Sequence, residues 1–132
     1  MKNPKILIVD DDPDIIKALE VILESQQFEV VSAKTKAEGM SKILAEKPDL
    51  LILDVMMEEI SDGFDLSREI RSHDEFANIP IIMYTAIDQT TGVNFKSAFG
   101  QTDKLPIDAY LEKPVTPTLL LAEVNKLLHR NS

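Results

Sequence analysis

The chain contains no cysteine, so neither a disulfide framework nor a thiolate metal site is available to it. No apolar run approaches the roughly 18 residues of a membrane span. Met1-Lys2-Asn3-Pro4 leads straight into a short apolar run rather than a signal peptide, which predicts a cytoplasmic home. A basic excess is also missing. Fourteen Lys and Arg stand against 23 Asp and Glu, a net charge of −9, which disfavours direct contact with nucleic acid and reads mostly as solvated surface. Internal repeats and low-complexity segments are absent. With 132 residues, 44% hydrophobic and 28% charged, the chain suits one compact domain over 1–132 with its core in 5–129, and no output domain.

What is present is a set of short, uniform apolar runs that stop at polar residues. Ile6-Leu7-Ile8-Val9 stops at Asp10-Asp11, and Leu50-Leu51-Ile52-Leu53 stops at Asp54. Such runs suit strands of a parallel sheet covered on both faces. Between them the apolar spacing changes to that of a helix. Asp12-Pro13 opens the first helix, with Asp12 as N-cap rather than ligand, and Ile15, Ile16, Leu19, Ile22 and Leu23 form a stripe through about Gln26. A strand is expected over 28–33. Thr35, with Glu38 in capping-box position, opens a second helix whose apolar face is Met40, Ile43 and Leu44 and which ends before Pro48.

Strand three is expected over 49–53, a loop over 55–62, and a third helix from Asp62-Gly63 with Phe64, Leu66 and Ile70 inward. Strand four covers 80–84 and ends at Thr85; strand five covers 108–111 and is followed by Lys113-Pro114. Thr116-Pro117 opens the last helix, with Leu119, Leu120, Val124, Leu127 and Leu128. Strands alternating with helices indicate right-handed βαβ crossovers. The expectation is an α/β fold: a doubly wound, five-stranded parallel sheet of flavodoxin-like topology, order 2-1-3-4-5, in a three-layer α/β/α sandwich with five helices.

If the first and third strands are adjacent, Asp10, Asp11 and Asp54 converge at the carboxyl edge of the sheet, where open α/β folds place their sites. Three carboxylates there repel one another unless a cation intervenes. They are hard oxygen ligands, which makes Mg2+ the natural candidate. A carboxylate beside such an ion can also attack phosphorus.

The order of polar strand ends (acidic pair, later Asp, Thr-Ala, Lys-Pro) resembles that of receiver domains of two-component response regulators. The strings ILIVDDDPDI, LLILDVMM, IIMYTA and AYLEKP resemble theirs as well. The resemblance covers essentially the whole chain, and it implies a phosphorelay switch fed by a sensor histidine kinase. It implies Asp54 as phosphoacceptor and Asp10, Asp11, Asp54 and the Met56 carbonyl as holders of Mg2+. Thr85 and Lys113 are implied as partners of the phosphoryl group, Tyr110 as the aromatic that moves with Thr85, and the bond before Pro114 as cis. Met56 and Ile87 take the positions that influence the hydrolytic water, and neither side chain can orient water well. Partners would be that kinase and either a histidine phosphotransfer protein or another protein target, with the chain a monomer or a weak phosphorylation-dependent dimer. No classical enzyme activity is implied.

The chain departs from the family pattern twice. Glu58 stands where Pro is common, and Glu58-Glu59 put two further carboxylates near the acidic set. The segment between Thr85 and Lys113 is longer than usual and carries Gly92, Gly100 and Pro106, which favours a short or displaced helix and an extra loop. Three other readings stand beside the leading one. One is a receiver-like interaction module that works without phosphorylation, which the unusual segment leaves open. A flavodoxin-like cofactor binder would want a Gly- or Ser-rich phosphate loop where Asp10-Asp11-Asp12-Pro13 stands. An aspartate-nucleophile phosphatase would want a second Asp where Met56 stands. His73 and His129 lie in polar surroundings and read as solvated.

Overall fold

A computed structural model describes residues 3–54, 62–86, 108–113 and 116–129; at 62–65, 85, 86, 110, 112, 113 and 129 the description is of the backbone alone. In chain order the elements are β1 (Lys5–Val9), α1 (Pro13–Glu24), β2 (Glu29–Ala33), α2 (Lys36–Glu46), β3 (Leu50–Leu53), α3 (Asp62–Arg71), a 3-10 turn (Asp74–Phe76), β4 (Ile81–Ala86), β5 (Ala109–Lys113) and α4 (Pro117–His129). The strands form one parallel sheet in the order β2-β1-β3-β4-β5, as expected. The helix expected within 87–107 lies outside the described residues.

The uniform apolar runs are explained by the pleat. Leu7, Val9, Leu51, Leu53, Ile81 and Met83 face one layer, with Ile43 of α2 and Leu66 and Ile70 of α3. Ile6, Ile8, Leu50, Ile52, Ile82 and Tyr84 face the other, with Ile16, Leu19 and Leu23 of α1 and Leu120, Val124 and Leu127 of α4. Both faces of each central strand are therefore dry, and each fully buried Leu or Ile contributes about 1.5–3 kcal/mol.

The helix ends follow local chemistry. Asp12 accepts from the Asp14 N–H at 2.9 Å, and Pro13 stands in the first turn. α1 stops at Glu24, two residues earlier than expected. The N–H groups of Gln27 and Phe28 turn back to the carbonyls of Glu24 and Leu23, and Gln27 adopts a left-handed φ of 68°. Thr35 Oγ1 accepts from the Glu38 N–H at 3.0 Å. The Glu38 carboxylate accepts from the Lys34 N–H, one residue before the position of the usual capping box.

Four further expectations need correction. Leu44 is 50% exposed and Leu119 is 49% exposed. Each stands one residue, about 100° of rotation, from its helix's inward line, which runs through Gly39 and Ile43 in α2 and through Leu120, Val124 and Leu127 in α4. β4 and β5 each run two residues further than expected, because the ladder continues through Tyr84↔Leu111, Thr85↔Glu112 and Ala86↔Lys113. Thr85 and Lys113 thus lie within the strands, Thr85 next to last in β4 and Lys113 last in β5.

The link from α3 to β4 also holds buried Phe76 and Ile79, which belong to neither a helical stripe nor a strand run and have no periodic signal. His73 is exposed, as expected, with its ring edge-on to Phe76. No described helix is long and apolar enough to cross a membrane.

Candidate functional site

β1 and β3 lie side by side in the register Ile6↔Leu50 to Val9↔Leu53, so the residues that follow, Asp10 and Asp54, leave the sheet together. The ladder still holds both backbones. The Asp10 N–H donates to Ala33 O at 3.0 Å, and the Asp54 N–H donates to Val9 O at 2.9 Å. Asp10 is 1% exposed and Asp54 5%, while Asp11 faces solvent. One carboxylate oxygen from each of the three lies within 4.8 Å of the others. Asp10 Oδ1 accepts from the Asp12 N–H at 2.9 Å, which fixes the turn that presents Asp11. Asp12 itself turns away to cap α1.

This set fits a hard divalent cation. Three oxygen donors converge, two of them withdrawn from water, and their mutual repulsion is relieved by a cation among them.

Backbone placement brings two more expected positions to the same edge. Leu53 pairs with Met83, so Thr85 lies just beyond the level at which β3 ends, and Ala86 pairs with Lys113 on the outermost strand. Tyr110 lies on β5 opposite Met83. Met56, Glu58, Glu59, Ile87 and the bond before Pro114 lie outside the described residues.

The sequence profile of the response regulator receiver domain matches residues 6–125. The chain belongs to the response regulator receiver family. Among curated relatives, this receiver is 35% identical over 129 residues to the alkaline phosphatase synthesis transcriptional regulatory protein PhoP of Bacillus subtilis, covering 98% of this chain and 50% of that protein. It is 33% identical to the protein PilH of Pseudomonas aeruginosa, covering 94% of this chain and 97% of that one. The receiver spans about half the length of the transcriptional regulators it matches. Among solved structures it resembles a response regulator of Chloroflexus aurantiacus, with a TM-score of 0.83, 32% identity and coverage of 98% of this chain and 100% of that one. It also resembles the chemotaxis protein CheY4 of Vibrio cholerae, with a TM-score of 0.80, 26% identity and coverage of 96% and 99%.

Two residues that the sequence analysis did not single out organise the opposite edge of the receiver's sheet. Arg71, at the end of α3, donates from Nη1 to the carbonyls of Phe76, Ala77 and Ile79, and from Nη2 to Asp108 Oδ2 at 2.8 Å. A basic residue in the last turn of a helix was the one available signal, and it is shared by many solvated helix ends.

Proposed function

We propose that this receiver is a phosphorylation-activated signalling switch in which Asp54 takes a phosphoryl group from a phosphohistidine of a sensor histidine kinase. An Asp54 carboxylate oxygen bonds to phosphorus, the phosphorus–nitrogen bond breaks, and the bond's electron pair leaves with the imidazole. The observation that carries this reading is the convergence of Asp10, Asp11 and Asp54 within 4.8 Å, two of them buried. Asp10, Asp11, Asp54 and the Met56 carbonyl would hold Mg2+, which would supply charge neutralisation at the phosphoryl oxygens.

The chain's own groups do the rest. Asp54 is the nucleophile, held in place by its backbone bond to Val9. Lys113 at the end of β5 pairs with the incoming charge, and Thr85, next to last in β4, donates a hydrogen bond to a phosphoryl oxygen. The phosphoryl group adds about −1.5 to −2 units of charge at pH 7 that must find donors. Recruitment of Thr85 leaves room for Tyr110 and biases the surface that includes β5 and α4 between two arrangements. Output is through protein–protein contact. Met56 and Ile87 hold no water-orienting group, so the phosphoryl-Asp54 bond decays slowly.

The test is incubation with Mg2+ and acetyl phosphate, read by intact mass, beside Asp54→Ala. A gain of one phosphoryl group that needs Mg2+ and vanishes in Asp54→Ala is expected. No gain from acetyl phosphate and none from a histidine kinase would leave the phosphorylation-independent module as the better reading.

A further inference from the structure

Among the described residues β5 is an edge strand, paired on one side only, and it is five residues long. Side chains are described at two of its residues, Ala109 and Leu111. Leu111 is buried, and Ala109 is small and half-buried. Yet a slip of one residue would turn every side chain of β5 to the opposite face, and Lys113 with them. Beside the burial of Leu111, polar contacts at the entry of the strand also hold it.

At its entry, Asp108 closes a ring with the first residue of β4. The Asp108 N–H donates to Ile81 O at 2.8 Å, and Asp108 Oδ2 accepts from the Ile81 N–H at 2.8 Å. The same oxygen takes Arg71 Nη2 at 2.8 Å, with the two side chains 21% and 24% exposed. Arg71 Nη1 in turn holds the carbonyls of the link that feeds β4. One ion pair therefore ties the end of α3, the start of β4 and the start of β5. The ring itself has a counterpart across the sheet: the Asp49 N–H donates to Lys5 O at 2.7 Å and its carboxylate accepts from the Lys5 N–H at 2.8 Å. Only the ring at β5 carries an arginine among the described residues.

We infer that Asp108, clamped by Arg71, is a positioning residue for the phosphoryl-transfer site roughly 15 Å away along the strand, because it pins the register that delivers Lys113 and Thr85 to the carboxyl edge. The inference rests on the proposed phosphoryl transfer to Asp54. The acidic set stands just past the ends of β1 and β3, outside the clamp, so metal binding and transfer rate separate under mutation.

The experiment measures three quantities for wild type, Asp108→Ala and Asp108→Asn: the rate of Mg2+-dependent phosphorylation by acetyl phosphate, Mg2+ affinity by calorimetry, and amide exchange of β5 against β1 and β3. Asn keeps an oxygen for the Ile81 N–H, whereas Ala keeps none. Asp108→Ala is expected to transfer about tenfold more slowly with unchanged Mg2+ affinity and faster exchange confined to β4 and β5, and Asp108→Asn to recover most of the rate. Wild-type transfer in folded Asp108→Ala, or a parallel loss of Mg2+ affinity, would overturn the inference. Should Asp108→Ala not fold, Arg71→Lys, which keeps the charge but not the fork, is measured in its place with the same expected pattern. If wild type takes up no phosphoryl group, the proposed transfer fails by itself. Exchange then decides the register claim: loosening confined to β4 and β5 supports it, and uniform loosening overturns it.

Discussion

The Asp54 N–H donates to the carbonyl of Val9 at 2.9 Å, so the proposed phosphoacceptor is hung from the last residue of the neighbouring strand. Val9 is itself wedged by α2. A Cβ built on Gly39 would lie 3.2 Å from Val9 Cγ2, 3.3 Å from Val9 Cγ1 and 3.2 Å from Leu66 Cδ2. The absence of a side chain at Gly39 thus lets α2 approach the strand that carries Asp10 and supports Asp54.

Gly39→Val is expected to destabilise the fold by about 1–3 kcal/mol through overpacking against Val9 and Leu66. Gly39→Ala should cost less, because Ala recovers about 0.5–1 kcal/mol of helix propensity. Urea denaturation of both variants checks this. Equal stability of Gly39→Val and wild type would show that Val9 and Leu66 give way freely.

Three carboxylates within 4.8 Å store repulsion when no cation is bound. Asp11 is exposed, and the carboxylates that brace the turn and cap α1 are those of Asp10 and Asp12. Asp11→Asn should therefore raise metal-free stability by about 1 kcal/mol. Mg2+ should raise the melting temperature of wild type, and this rise should disappear in Asp11→Asn. A thermal scan with and without Mg2+ measures both effects. An undiminished rise in Asp11→Asn would remove Asp11 from the metal site.

Among the described residues, two that are not glycine hold left-handed backbone, Gln27 at φ 68° and Lys47 at φ 50°. Left-handed backbone costs a side-chain-bearing residue roughly 1–2 kcal/mol. Gln27→Gly should therefore stabilise the receiver by up to about 1 kcal/mol. Lys47→Gly should gain less, because it also gives up the exposed Lys47–Glu75 pair at 3.4 Å. A loss of stability in Gln27→Gly, read as a lower urea midpoint, would contradict the account.

The hydrogen bond from Lys5 Nζ to Glu46 Oε1 at 3.0 Å raises the lysine pKa above its ordinary 10.5, helped by the nearby charges of Glu29, Glu46 and Asp49 and opposed by desolvation. A raised folded-state pKa means that the contribution is fully present below 10.5 and is lost as pH climbs through the folded value. The stability difference between wild type and Glu46→Gln should hence be constant from neutral pH upward and shrink only above 10.5. A difference that faded between neutral pH and about 9, well below the ordinary lysine value, would assign the effect to another group.

Much of this receiver was legible without coordinates, and the reason is locality. The apolar runs Ile6–Val9 and Leu50–Leu53 and the helical stripe of α1 each repeat within a few residues, and Asp12, Thr35 and Pro13 act on backbone groups next to them. Once strands are parallel and adjacent, the convergence of Asp10 and Asp54 follows from their places in the chain. Tertiary structure alone decided what depends on partners far along it. Arg71 and Asp108 are 37 residues apart, and their pairing exists only because α3 and β5 reach the same edge of the sheet. Phe76 and Ile79 are buried by the sheet that the link crosses, and Gly39 is required by Val9 and Leu66, neither of which is near it in sequence. Leu44 and Leu119 share the composition of core residues, but the direction in which α2 and α4 dock leaves them facing water. Local periodicity determines what an element is. The angle at which it meets its neighbours is set by packing, which no single stretch of sequence contains.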